Sequence, residues 1–470
     1  MKQSLPYLFL LTFWMNFAQV PCENGSANGF PCESFDLLAR MTPNDLDAAF
    51  ANDSWGWTDV QEGKEYAIVG LNNGTAFIDI SQPTAPIYLG KLPTQTENST
   101  WRDIKVYNNH AFIVSEANDH GMQIFDLTQL RDVSSPPEVF TNTAYYDDFG
   151  SAHNLVINED SGYAYAVGTS TFNGGPHFID IQDPLSPMAA GGYAMADYSH
   201  DAQVVTYNGP DSDYSGREIL IGSNTDEVVI VDITDKTTPV EISSIQYSDV
   251  GYTHQGWFTD DQRYFLLGDE FDEFNVGFNS RTIIFDFQDL DNPLSHFEYF
   301  GNTSAVDHNG YVVGDRFYLA NYQAGLRVMD LTDIDNQTMT EIGYFDTYQP
   351  NDDAGFGGAW NVFPFFDSRV IMISGTEGLT LVRDENELAV PENIINPFSI
   401  APNPASDHVQ IQSKTQAITA IKVYNILGQE ILNKTYRSTN QLTLDVSNWK
   451  SGIYLLRINN TSNHKLIIRP

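Results

Sequence analysis

Short apolar runs bounded by Gly, Asn or Asp recur along most of the chain. The most regular are Gly74-Thr-Ala-Phe-Ile-Asp79, Gly121-Met-Gln-Ile-Phe-Asp126, Glu227-Val-Val-Ile-Val-Asp232, Ser280-Arg-Thr-Ile-Ile-Phe-Asp286 and Gly325-Leu-Arg-Val-Met-Asp330. Asp180 ends the matching run of a further unit, and Gly378 to Val382 repeats the pattern with Arg383 in the Asp position. Runs this short and this apolar suit strands covered on both faces. The closing Asp can accept backbone N–H groups of the following turn, which usually holds Pro, as at Pro83, Pro136, Pro184, Pro239 and Pro293. Calcium ligation is the other reading of these carboxylates; one Asp per unit on separate turns rarely converges on an ion.

A polar or aromatic pair opens the first strand of each unit: Trp57-Thr58, Arg102-Asp103, His153-Asn154, His200-Asp201, His254-Gln255, His308-Asn309 and Trp360-Asn361. Successive pairs are 45, 51, 47, 54, 54 and 52 residues apart. The third unit shows what lies between them: strands near Leu155 to Asn158, Tyr163 to Gly168, His177 to Ile181 and Met188 to Ala194. A period near fifty with four strands inside predicts an all-β fold, a seven-bladed β-propeller whose equivalent positions share one ring about the axis. Neighbouring strands of a blade run antiparallel, so the second strands end on the same face as the pairs, at positions such as Glu116, Glu270 and Asn321. A small-ligand site therefore belongs on the His side, opposite the Pro-rich turns.

Charge divides the chain. The formal net charge is -39, yet from Pro397 onward 8 Lys+Arg stand against 3 Asp+Glu. Two modules are the simplest account. So acidic a protein lacks the basic footprint that nucleic acid requires. Lys2 ahead of an apolar stretch from Leu5 to Phe17 reads as a secretory signal peptide over residues 1–19, and nothing later is long enough for a transmembrane helix. The two cysteines, Cys22 and Cys32, then meet an oxidising compartment and are expected to form a disulfide in an N-terminal segment, residues 20–45; a reactive thiol pair is the weaker alternative. The propeller is expected over 46–383, a polar linker over 384–396, and from 397 to 470 a small β-sandwich with turns at Leu427-Gly428 and Ser451-Gly452.

Particular stretches resemble known families. Cys22, Cys32 and Asp36-Leu-Leu, with WGWTD (Trp55 to Asp59), TWRDIKVY (Thr100 to Tyr107), HAFIVSEA (His110 to Ala117), SHDAQ (Ser199 to Gln203), YTHQGW (Tyr252 to Trp257) and DEFDE (Asp269 to Glu273), resemble the choice-of-anchor B family of exported LVIVD-repeat proteins. That resemblance runs from about Cys22 to Arg383; it implies a propeller and an extracellular address, and no settled activity. The tail, with SIAPNPASDHVQI (Ser399 to Ile411), IKVYNILGQEI (Ile421 to Ile431) and WKSGIYLLRI (Trp449 to Ile458), resembles the type A sorting domain of the type IX secretion route. It implies that residues 397–470 engage that machinery, and that the mature protein is secreted or held at the outer-membrane cell surface.

The candidate site is the ring of pairs. His153, His200, His254 and His308 on adjacent blades form a hydrogen-bonded ring, a pocket for an organic ligand, or a divalent metal site, since imidazole suits transition ions. Arg102 on the same ring argues against metal. Ligand-binding candidates are those four His with Arg102, Asp103, Glu116, Asn321, Trp57 and Trp360. Asp269, Glu270, Asp272 and Glu273 read first as a solvated acidic loop; the functional reading has Glu270 reaching inward as a general acid or base. Aromatic side chains such as Trp257 and Tyr322 more often fill blade interfaces than stack on sugars. No G-x-S-x-G, H-E-x-x-H, phosphate-cradling Gly loop or heme C-x-x-C-H is present. The sequence thus points more to a binding module for an extracellular small molecule, glycan or protein than to an enzyme, with a metal-dependent or acid-base hydrolase or lyase as the alternative.

Overall fold

Each unit of about fifty residues folds into one antiparallel sheet, and the innermost strand of every sheet packs on that of the next, the last returning to the first. In the computed structural model the described residues are 19–194, 198–384, 398–403, 405–413, 417–425, 429–459 and 462–469. All but Gln19 of the expected signal peptide, and residues 385–396 of the expected linker, lie outside them.

The innermost strands, from blade 1 to blade 7, are Ala51–Asp59, Arg102–Tyr107, Asn154–Asn158, Ser199–Thr206, Thr253–Phe258, Gly310–Val313 and Ala359–Phe363. The apolar runs are the third strands, with Phe77, Ile124, Ile179, Ile230, Ile284, Val328 and Leu381 buried between blades. Their closing carboxylates are structural. Asp79, Asp126, Asp180, Asp232, Asp286 and Asp330 each accept the N–H two residues on, at 2.8–3.0 Å. In blade 7 the run continues through Arg383 to Asp384, which pairs with Arg316 of blade 6 at 2.7 Å.

The ring is closed by the N-terminus. Phe35–Met41 is the outer strand of blade 7, antiparallel to Gly378–Asp384 from Phe35↔Asp384 to Met41↔Leu379. Just before it, the hairpin of Ser26–Ala27 and Phe30–Glu33 extends blade 6, with Cys32 opposite Phe345. The Cys22–Cys32 disulfide, Cα atoms 6.0 Å apart, staples that hairpin. Phe35, Leu37 and Cys32 pack with Val328, Phe345 and Val382 in one core. Residues 20–45 are therefore not a separate segment ahead of a propeller beginning at 46: part of them is β-structure of blades 6 and 7. No run within 20–45 repeats the apolar pattern of the third strands, because an outer strand is only half covered.

The acidic group after blade 5 departs from its solvated reading. Tyr264–Asp269 is followed by a helical turn, Asp272–Asn275, in which Asp272 and Glu273 are buried, and Asp307 from the approach to blade 6 joins them. Arg281 donates to Asp272 Oδ2 at 2.5 Å and lies 3.7 Å from Asp269. A Cβ on Gly268 would fall 2.1 Å from Asp307 Oδ2, so the carboxyl fits only against a glycine. Glu273 and Asp307 meet carboxyl to carboxyl, a pairing that needs a proton on one of them. Burial, then the neighbouring carboxylates, pushes Glu273 up to about 9 and Asp307 well above its ordinary value.

The C-terminal unit pairs a three-stranded sheet (Phe398–Ala401, His408–Ser413, Gln441–Asp445) with a four-stranded one (Glu430–Thr439, Ile418–Asn425, Gly452–Ile458, Ser462–Ile468). Val409, Ile411, Ile421, Val423, Leu456 and Leu466 fill the space between them, as a β-sandwich requires.

Two predictions follow from this packing. Replacing both cysteines by Ser removes a cross-link spanning ten positions and should cost about 3 kcal/mol, read as an earlier denaturant midpoint for the propeller transition. Glu273 holds a proton in the folded state that it loses when unfolded, so its contribution is intact below pH 4.5 and is lost as pH rises toward 9. In metal-free buffer, wild-type stability should fall between pH 5 and 8 by up to about 1.4 kcal/mol per pH unit more than that of Glu273→Gln; parallel profiles would contradict this.

Candidate functional site

In three blades a kink in the first strand lets both members of the pair face the axis. Register shifts between Ser199 and Asp201, Thr253 and Gly256, and Ala359 and Asn361 set extra residues against the partner strand, so consecutive side chains need not alternate. Both members of these pairs can then serve the axis. Blade 2 has no shift: Arg102 pairs with Ser115 and Asp103 with Val114, and the two side chains point opposite ways. Asp103 faces the axis. Arg102 is buried away from it, donating to Leu71 O at 3.1 Å and Thr94 Oγ1 at 2.8 Å and lying 2.9 Å from His120 Nε2. Its charge is absent from the His ring, and with it the electrostatic objection to metal.

Four imidazoles on blades 3 to 6 and the Trp360 indole of blade 7 form an arc. Ring centroids are 4.1 Å apart for His153–His200, 4.5 Å for His200–His254, 4.3 Å for His254–His308 and 4.9 Å for His308–Trp360. Two carboxylates from the ends of second strands complete it. Glu116 Oε1 lies 2.6 Å from His153 Nδ1. Glu270 stands 3.7 Å from His254 Nε2 and 3.8 Å from His308 Nε2, and accepts the Tyr322 hydroxyl at 2.9 Å. His308 Nδ1 donates to Trp360 O at 2.5 Å, which leaves Nε2 with its lone pair. His200 Nδ1 and both ring nitrogens of His254 are buried with no hydrogen-bond partner. Ligand atoms of His200, His254 and Glu270 all lie within 4.8 Å of one another, as a metal centre would need.

Charge is arranged to match. Burial, followed by the neighbouring imidazoles, holds His200 and His254 well below the ordinary histidine value, and burial takes His308 down to about 3. These rings are neutral and offer lone pairs. Burial raises Glu270 to about 7 against the opposing Tyr322 hydrogen bond.

The second members of the pairs stitch the blades together. Asp103 accepts Leu155 N at 2.7 Å and Lys105 Nζ at 2.7 Å, Gln255 accepts Gly310 N at 2.9 Å, and Asn361 donates to Ser54 O at 2.6 Å. Asn309 donates to Asp53 at 3.2 Å and to Asn361 at 3.3 Å. Asp53 therefore occupies the blade 1 position, and the repeat there is Asn52-Asp53, fifty residues before Arg102. Trp57 is off the ring: it stacks on Tyr66 at 4.9 Å further along the strand and donates to Asn109 Oδ1 at 3.2 Å. Asn321 is also apart, its amide donating to Ser280 Oγ and Ala305 O at 3.0 Å.

A cavity of about 790 Å3 opens at the other end of the axis, where the first strands finish. Asp53, Lys105, Asp201, Gln255 and Asn309 line it, and Trp55, Trp57, Trp257, Tyr311, Phe363 and Phe365 add an aromatic side. Sequence reasoning placed a small-ligand site only on the His face. The signal for this one was the spacing of Trp55, Trp257 and Phe363, each three residues beyond the first ring position of its strand, Asn52, His254 and Trp360.

Among known families, the LVIVD repeat matches residues 59–94 and 219–246, and the secretion system C-terminal sorting domain matches residues 399–469. A curated relative, an endo-acting ulvan lyase of Formosa agariphila, is 30% identical over 80 residues, which are 17% of this chain and 16% of that enzyme. Among solved structures, PorZ, a surface component of the type IX secretion system of Porphyromonas gingivalis, is 10% identical with a TM-score of 0.43, covering 87% of this chain and 58% of that one. Hydrazine synthase of Kuenenia stuttgartiensis is 11% identical with a TM-score of 0.49, covering 68% and 92%. No helix among the described residues is long and apolar enough to cross a membrane. Seven blades carrying LVIVD repeats and a C-terminal type IX sorting domain thus describe the chain, and that domain indicates export to the cell surface or the extracellular space.

Proposed function

We propose that the propeller is a surface binding module whose His-rich end holds a divalent transition ion through His200, His254 and Glu270, with His153 and His308 beside it, and presents that ion to an extracellular ligand. The observation that carries this reading is His254: a fully buried imidazole beside a carboxylate, with neither ring nitrogen hydrogen-bonded. Leaving such a group unmet costs about 1–3 kcal/mol per polar atom, a cost that an ion or a ligand at the site would offset. The donor set, two neutral imidazoles and one carboxylate, suits Zn2+ and its neighbours rather than Ca2+ or Mg2+. Second contacts support it, because the Nδ1 atoms of His153 and His308 are engaged by Glu116 and Trp360 O, which orients each Nε2 as a lone-pair donor.

The second reading, a hydrolase or lyase, has its own support. Glu270 is held between two imidazoles and a tyrosine hydroxyl, where a carboxyl can pass a proton to or from a bound substrate. The two readings diverge at one substitution. Glu270→Gln should weaken ion affinity by more than the roughly 10- to 100-fold typical of losing a group that only orients a ligand, if Glu270 is itself a ligand. If it is instead a general acid or base, ion uptake is unchanged while turnover of extracellular polysaccharide falls at least ~100-fold.

Mature protein dialysed against Zn2+ should retain one equivalent, measured by elemental analysis, and His200→Ala/His254→Ala should retain none while keeping the wild-type far-UV spectrum. Protein that takes up no Zn2+, Ni2+ or Cu2+ would remove the metal reading. For the tail, deletion of 397–470 should leave a folded propeller in the periplasm; normal amounts of the truncated chain at the surface would contradict its engagement with the secretion machinery.

A further inference from the structure

The cavity at the far end of the axis is built in two halves. Blades 1, 5, 6 and 7 contribute aromatic side chains: Trp55 and Phe363 are 5.2 Å apart by ring centroid, Trp257 and Tyr311 4.9 Å, and Tyr311 and Phe365 5.6 Å. Blades 2, 3 and 4 face them with Lys105, Asn154, Asp201 and Gln203. Phe365 keeps 37% of its surface exposed, on a chain whose other large apolar groups mostly find cover. An aromatic wall opposite a wall of amides and carboxylates in about 790 Å3 has the dimensions and the chemistry of a small-molecule site.

The polar half has hydrogen-bonding capacity left over. Asn309 Oδ1 is buried and unpartnered. Asp201 uses one oxygen to accept Ala202 N at 2.6 Å. Lys105 is held by Asp103 at 2.7 Å and lies 4.7 Å above the Trp55 ring, so it adds little net positive charge toward a guest. Three carboxyl groups, Asp53, Asp103 and Asp201, surround that one ammonium; burial pushes Asp53 well above its ordinary value and Asp201 up to about 7, so the floor offers hydrogen-bonding groups and no net positive charge to an anion.

We propose that this cavity binds an uncharged sugar: one pyranose ring lies with its C–H face against Trp257 and Phe365, and its hydroxyls donate to Asp201 and Asn309. A pyranose has one apolar face and a rim of hydroxyl donors and acceptors, which matches the two walls. Adjacent hydroxyls can both donate to one carboxylate, which amides and carboxylates fixed on strands are placed to receive. Uronic acids and sulfated sugars meet a lining whose one ammonium, Lys105, is already paired with Asp103, so burying their charge there is disfavoured. The layer of Asp, Asn and Gln between the two ends separates this site from the His arc, so it stands whether or not an ion binds there.

Titration of the mature protein with cellobiose, maltose and N,N′-diacetylchitobiose, followed by tryptophan fluorescence and calorimetry, tests the assignment. At least one disaccharide should bind with a dissociation constant below 1 mM, as an order of magnitude, and cellobiuronic acid should bind at least tenfold more weakly. Trp257→Leu and Phe365→Ala should each weaken binding about tenfold or more, and Asp201→Asn about fivefold. Phe365 stands at the mouth, so its replacement leaves the fold intact and keeps the result decidable; Zn2+ uptake of Phe365→Ala should equal that of wild type. No binding of any of the three sugars at 10 mM, an affinity unchanged by Phe365→Ala, or preferential binding of choline or hexylamine would overturn the proposal.

Discussion

Closure of the ring is the constraint on which the site depends. Seven wedges meet on an axis only if the last is completed, and here the completing strand is Phe35–Met41, from the opposite end of the propeller sequence to the blade it joins. Immediately before it in the same segment, the stapled hairpin extends blade 6. The N-terminus therefore bridges the two blades that carry His308, Tyr322 and Trp360. Their mutual distances, 4.8 to 6.0 Å between rings, are set by how those blades abut.

Along the axis, one repeated dipeptide does two different jobs. The second position holds Asp, Asn or Gln in every blade, and its side chain reaches the backbone or side chain of a neighbouring blade in those bonded as Asp103, Gln255, Asn309 and Asn361 are. The first position is freed from that duty and carries imidazole or indole in blades 3 to 7. A polar layer that stitches the scaffold thus lies directly beneath a layer that is only partly hydrogen-bonded. Stability can be assigned to the first and binding to the second, which is how a site with unmet nitrogens persists in a well-packed fold.

The period was legible because buried third strands tolerate little besides apolar residues, and because their closing Asp makes the same turn six times. From that period the convergence of His153, His200, His254 and His308 could be read directly. Two ring positions could not. In blade 1 the pair is Asn52-Asp53, which lacks the aromatic or imidazole mark of its counterparts, and Trp57 drew attention five residues too late. In blade 2 the residue type was right and its direction was not: Arg102 points away from Asp103 and is held by Leu71 O and Thr94 Oγ1 of the neighbouring blade and its loop, partners that the spacing of the pairs does not reveal. The burial of Asp272 and Glu273 was hidden for a related reason, since Asp307, which meets them, comes from the next blade.

The strong negative charge of the propeller acts on both ends of the axis. A formal charge of -39 on the whole chain produces a field that concentrates cations and depletes anions near its clefts. At the His end this favours a divalent ion, because the neutral imidazoles themselves offer no repulsion and Glu270 adds attraction. At the cavity end the same field opposes acidic polymers, and the aromatic wall rewards an apolar sugar face instead. Screening with salt would reduce the first effect, which acts through space, far more than the second, which acts by contact. The two ends thus select different chemistry under one potential, and the stitched layer between them keeps the guests apart.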